Sequence, residues 1–104
     1  MNDYVRLDYI TGDRSACYDF VFMDCGEPIG WRAYIINDVD YKGRDTGSHP
    51  THRIHEQGET YPYICWDGRI DTLEQAKRIA SLWADTTTLY VRTSESFDEI
   101  VKRL

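Results

Sequence analysis

The chain has no apolar run near the ~20 residues that a membrane-spanning helix needs. Its start, residues 1–12, has no basic stretch followed by an apolar one, so no secretory signal is read there. Cysteine is scarce and odd in number: Cys17, Cys25 and Cys65 lack the paired spacing of a metal knuckle or a disulfide framework. These absences point to free thiols in a reducing, cytoplasmic setting. Neither glycine-rich phosphate loop, G-x-x-x-x-G-K or G-x-G-x-x-G, is present. Positive charge is in the minority, with 12 Lys and Arg against 18 Asp and Glu and a net charge of −6. That balance argues against direct nucleic-acid binding, because phosphate contacts need Lys and Arg.

What is present suffices for one core. The 104 residues are 41% hydrophobic, which suits a single domain and not a disordered chain. The segment with the strongest local signal is Asp71 to Thr93. Thr72 or Asp71 is placed as N-cap, with Gln75 or Glu74 three residues later closing a capping box. Leu73, Ala76, Ile79, Ala80, Trp83, Thr87, Tyr90 and Val91 recur at steps of three and four, which puts them on one helical face. Glu74, Lys77, Arg78, Ser81, Asp85, Thr88 and Arg92 fall on the other. The small Ala76, Ala80 and Ala84 let another layer approach closely, and Trp83 is expected to be among the most buried residues. The triple Thr86, Thr87, Thr88 weakens the far end, so fraying or termination is expected between Thr86 and Thr93.

Upstream the period is two. Val5, Leu7 and Tyr9 alternate with Tyr4, Arg6 and Asp8, and Tyr18, Phe20 and Phe22 alternate with Asp19 and its neighbours. Turn chemistry separates these strands at Thr11 to Arg14 and ends the second at Asp24 to Gly30. Trp31 to Ile36 reads as a third strand, and Asn37 to Pro50 as the longest irregular connection. Thr51 to Glu56 and Tyr61 to Trp66 suggest a hairpin, with Pro62 at an edge or a strand start. Phe97, Ile100, Val101 and Leu104 give a short C-terminal helix capped by Ser96 or Ser94. The expected fold class is α+β: a four- to five-stranded antiparallel sheet packed against one long helix, with a short C-terminal helix.

Candidate chemistry is sparse. His49, His52 and His55 lie three apart. On a strand, neighbours in this trio point to opposite faces, and Pro50 and Thr51 discourage the helix that would align them, so the metal reading is the weaker alternative. Asp38-x-Asp40-x-Lys42 starts like a calcium loop but lacks two of the ligands such a site needs. Cys65, beside Trp66 and Asp67, suggests a thiol nucleophile with His52 or His55 as its base, against the plainer reading of a small buried apolar side chain. No cofactor is expected.

Charge and tyrosine carry the functional expectation. Up to Glu27 six acids face only Arg6 and Arg14. By strand parity and turn position Asp8, Asp13, Asp19 and Asp24 are expected on one side and the ends of a single hairpin. Solubility is the plain explanation, and a basic protein partner is the sharper one. Eight tyrosines add interface chemistry, with Tyr4, Tyr34 and Tyr41 expected at the surface. The reading is a non-enzymatic protein-interaction module whose partner has a basic surface; a homodimer is also open. One concrete form is an acidic inhibitor that occupies a nucleic-acid-binding surface, the strategy of anti-CRISPR and other phage-encoded inhibitors. The alternative is a small enzyme or a metal- or anion-binding domain using the 37–50 loop, Arg44, Asp45 and the adjacent histidines.

Overall fold

The computed structural model describes residues 4–104. Alternation does build the first half: β1 (Tyr4–Ile10), β2 (Cys17–Asp24) and β3 (Trp31–Ile35) form an antiparallel meander. In β2 the inward Tyr18, Phe20 and Phe22 are buried, and in β3 Ala33 and Ile35 are. The chain then makes a helical turn, α1 (Ser48–Thr51), and two short strands, β4 (Arg53–Ile54) and β5 (Tyr63–Ile64). The five-stranded sheet runs in the order β1-β2-β3-β5-β4. Pro62 precedes β5, and its carbonyl accepts from Ile35 N at 2.9 Å. β5 is interior, so Pro62 takes the strand-start position and not an edge.

Helix α2 (Leu73–Arg92) lies across the inner face of β2 and β3, and α3 (Phe97–Lys102) packs on α2. Thr72 is the N-cap: its Oγ1 accepts from Gln75 N at 3.1 Å, and Gln75 Oε1 accepts in return from Asp71 N at 3.1 Å. Trp83 is 2% exposed, edge-on to Tyr18 and Phe20. Its Nε1 donates to Thr51 O at 3.0 Å, so the helix holds α1 as well as the sheet. Ser96 caps α3 by accepting from Glu99 N at 3.2 Å.

The helix ends at Arg92 with Thr93 as C-cap, inside the expected window of Thr86 to Thr93, while Thr86, Thr87 and Thr88 stay helical and buried. Thr86 Oγ1 donates to Leu82 O at 2.7 Å, and Thr88 Oγ1 lies 3.0 Å from Tyr18 OH. Two expectations need correction. The polar stripe Asp85, Thr88 and Arg92 faces the β1–β2 hairpin, with Thr88 buried against it and Arg92 at its exposed rim. Asp85 accepts from Tyr9 OH at 3.0 Å and from Gly12 N at 2.9 Å. Residues 48–51 are a helical turn despite Pro50, because proline is tolerated in a first turn whose N–H groups lack intrahelical partners.

The 37–50 connection is pinned down. Tyr41 packs edge-on to Tyr90 at 6.2 Å, and Tyr90 OH donates to Asp45 O at 2.9 Å. Arg44 lies over the Tyr90 ring and donates to the carbonyls of Tyr90, Thr93 and Glu95, filling the acceptors that a helix C-terminus leaves open. At the other end, Gly30 has φ +78° and a Cβ there would meet Ile70 O at 2.1 Å, so only glycine lets β3 start against Ile70.

Candidate functional site

The helices occupy one face of the sheet; no described helix packs on the other, although Glu56 and Glu59 of the β4–β5 connection reach over Arg32 and Tyr63 at one end of it. Strand parity and register set what it presents. β1 supplies Tyr4, Arg6, Asp8 and Ile10, and β2 supplies Cys17, Asp19, Val21 and Met23 opposite them. β3 adds Arg32 and Tyr34, and β5 adds Tyr63 beside Tyr34. Four of the seven candidate interaction residues thus share this face: Tyr4, Asp8, Asp19 and Tyr34. Tyr4 is 68% exposed, while Val21, Met23, Arg32 and Tyr34 are half-buried. Arg32 sits 4.1 Å above the Tyr63 ring and pairs with Glu56 at 3.4 Å and Glu59 at 3.8 Å. Tyr63 OH donates to Glu56 Oε1 at 2.7 Å, and burial followed by this carboxylate pushes its pKa up to about 12. The face is an amphipathic platform of aromatic, thioether and charged groups.

The other three residues lie elsewhere. Asp13 is inside the β1–β2 turn. It accepts from Thr11 Oγ1 at 2.8 Å, Ser15 Oγ at 2.6 Å and Ser15 N at 3.0 Å, and pairs with Arg92 at 3.0 Å. The Ser15 contacts hold its carboxyl well below the usual carboxylate range. Asp24 has the inward parity of Tyr18, Phe20 and Phe22; it ends β2 and accepts from Gly26 N at 3.0 Å. Tyr41 is 5% exposed, a correction to its expected surface position: loop placement did not reveal that the loop folds onto α2. Its hydroxyl finds no hydrogen-bond partner among the described residues, and burial pushes its pKa up to about 12.

Asp19, half-buried, is bridged by Arg6, which holds its carboxyl below the usual range. Asp8 lies directly opposite Asp19, exposed and without a salt bridge among the described residues.

The histidines separate. His49 and His52 stack at 6.3 Å, since the helical turn aligns them, but His55 turns away to Glu59 O at 2.7 Å. No group of three His, Cys, Asp or Glu side chains is arranged to hold a metal among the described residues. Arg44 and Asp45 of the alternative site are engaged at the end of α2.

A feature the sequence did not announce is a cleft of about 450 Å³ between β5, α2 and α3. Ile64, Ile79, Leu82, Phe97 and Val101 form its apolar lining, with Trp66, Cys65, His52 and Asp98 also at its walls. His52 stacks on Phe97 at 4.3 Å and its Nε2 lies 3.0 Å from Asp98 Oδ1. Cys65 N donates to His52 O at 2.9 Å, and Cys65 is exposed, not the buried apolar side chain expected. Trp66 and Leu82 were the available signals, being large apolar groups outside the main stripe. No described helix is long and apolar enough to cross a membrane.

Comparison with protein-family models, curated proteins and solved structures returns no match to this chain.

Proposed function

We propose that the chain is a non-enzymatic protein-interaction module whose contact surface is the helix-free face of the sheet. The observation that carries this reading is the gathering of Tyr4, Asp8, Asp19, Met23 and Tyr34 on one helix-free face. Tyrosine supplies contact area at low entropic cost, methionine supplies adaptable contact area, and the acids select a basic partner. An inhibitor that occupies a nucleic-acid-binding surface fits that chemistry, and the open edge of β1 admits a second copy of the chain.

The test uses a pair of variants. Bacterial lysate is passed over immobilised wild type, Asp8→Asn/Tyr34→Ala and, on the far side of the molecule, Leu82→Ala. A basic protein retained at low salt by wild type and Leu82→Ala, but lost from the double variant, is the expected result. The purified partner should then bind more slowly to Asp8→Asn, with a shallower salt dependence, and lose its nucleic acid to the wild-type chain. Equal retention by all three chains would remove the sheet face from consideration.

A second reading comes from the cleft, whose volume lies within the ~300–1,000 Å³ of small-molecule sites. It predicts that an apolar fluorescent probe binds wild type and is displaced by Leu82→Glu. No binding by wild type retires it.

A further inference from the structure

We infer that two copies of this chain pair edge to edge through β1, antiparallel and centred on Leu7, to make one continuous ten-stranded sheet. β1 ends the sheet order, and among the described residues nothing pairs with its outer edge. It is also a thinly defended edge. Its seven residues match β2 one to one without a bulge, and it contains no proline. Natural edges are blunted by shortness, bulges, proline or charged side chains, lysine above all, and the only such device in β1 is the pair Arg6 and Asp8, of opposite sign. The opposite edge, β4, is two residues long and obeys that rule by its shortness; β1 obeys it only through that pair. Tyr4, Leu7 and Ile10 expose 68%, 38% and 55% of their surface on this one strand. Leu7 also borders a groove of about 140 Å³ between β1 and α2, which a neighbouring strand would roof.

The occupant is identified by self-complementarity. Residues opposite one another in an antiparallel pair point to the same face. Centring on Leu7 sets Arg6 against Asp8 of the second copy, and Asp8 against the second copy's Arg6. Tyr4 meets Ile10, Val5 meets Tyr9 and Leu7 meets Leu7. Shifting the two-fold centre by one residue either way sets Arg6 against Arg6 or Asp8 against Asp8, so charge rejects both neighbouring registers. The unmatched pair inside one chain makes the same demand. Asp8 lies opposite Asp19, and like charges directly opposed are unfavourable. Arg6 of the second copy supplies the salt-bridge partner that Asp8 lacks, so that each cross-strand row reads Asp19, Asp8 and then Arg6 of the second copy. Both helix-free faces then lie on one side of the dimer. The pairing does not depend on the partner proposed above.

Sedimentation equilibrium from micromolar to submillimolar concentration tests it. Wild type should approach twice the 12.2 kDa chain mass. Arg6→Asp and Asp8→Arg each place like charges at both symmetric positions, and each should raise the dimer Kd at least about tenfold. The double swap Arg6→Asp/Asp8→Arg restores opposite charges in the same register and should recover the dimer. Asp8→Arg keeps an ion pair with Asp19, so it tests the idea even where Arg6→Asp does not fold; circular dichroism checks each chain. A wild type that sediments at the chain mass throughout overturns the inference. So does a dimer whose Kd both single swaps leave unchanged. Neither result bears on binding of a different protein by the sheet face.

Discussion

Trp83→Ala tests whether the helix on the sheet is what holds the domain. The indole is 2% exposed and touches Tyr18 and Phe20 from the sheet. Truncating a buried tryptophan costs about 3–5 kcal/mol. The variant also leaves the Thr51 carbonyl without its 3.0 Å donor in a buried setting, which adds about 1–3 kcal/mol. The expected loss of about 4–8 kcal/mol is comparable with the whole stability of many small domains, about 5–15 kcal/mol. Trp83→Phe separates the two contributions in part, because it keeps a six-membered ring while removing the donor and a fraction of the indole volume. Its expected cost is about 1–3 kcal/mol for the donor, with a smaller cavity cost added. Urea unfolding followed by far-ultraviolet circular dichroism gives both numbers without relying on the fluorophore being removed. A loss under about 1 kcal/mol for Trp83→Ala would contradict the packing argument. Equal losses for the two variants would assign the whole effect to the donor and the volume that both remove.

Arg44→Ala should cost about 1.5–3 kcal/mol, because three carbonyls at the end of α2 lose a charged donor. Proteolysis within 37–50 should accelerate, and Arg44→Lys should restore little, since one ammonium does not reproduce the planar fork. Tyr41→Phe removes a buried hydroxyl that has no partner among the described residues. It should raise the urea midpoint, by about 1 kcal/mol in stability; a fall in midpoint would show that the hydroxyl is bonded in solution. Asp13 has a folded pKa depressed by Ser15, Thr11 and Arg92, so the unfolded chain binds its proton more readily. The stability it lends is complete above the ordinary carboxylate pKa of about 4 and lost as pH falls through the lower folded value. Asp13→Asn should therefore lower the neutral midpoint and flatten its decline in acid, and parallel acid limbs would refute the assignment.

Local signals made the long helix and the first three strands legible in the sequence. The Thr72–Gln75 cap, the Leu73 to Tyr90 stripe and the Tyr18, Phe20, Phe22 alternation need only neighbours a few residues away to act. The features that escaped are joined by distant contacts. Arg44 reads as a free loop cation until Tyr90 and Glu95 stand beside it. Thr88 reads as solvent-facing until the Tyr18 hydroxyl is 3.0 Å away. The cleft brings His52, Cys65 and Asp98 together only because α3 folds back on α2, and no spacing in the chain encodes that. The edge position of β1 became visible only with the crossover that seats β5 beside β3.

The same contacts change what the acidic first quarter means. Clustered like charges in a hairpin invite explanation by a partner when their surroundings are unknown. With the surroundings known, Asp13 organises its turn and meets Arg92, Asp19 is bridged by Arg6, Asp24 closes a turn and Glu27 pairs with Arg69. Folding accounts for these four, so neutralising Asp13 or Asp24 reports on the turns and says nothing about a partner. Asp8 is different: it makes no salt bridge among the described residues, with Arg6 of its own strand near but committed to Asp19, and it faces Asp19 across the ladder. A chain selected only for stability gains by replacing it, since opposed like charges cost part of a kcal/mol, about 0.2–1. Asp8→Asn alone is therefore the sharpest probe of this surface. It should leave the monomer as stable as wild type or slightly more so, while weakening whatever contact the outer face or the β1 edge makes. A monomer that Asp8→Asn destabilises would mean that Asp8, too, serves the fold.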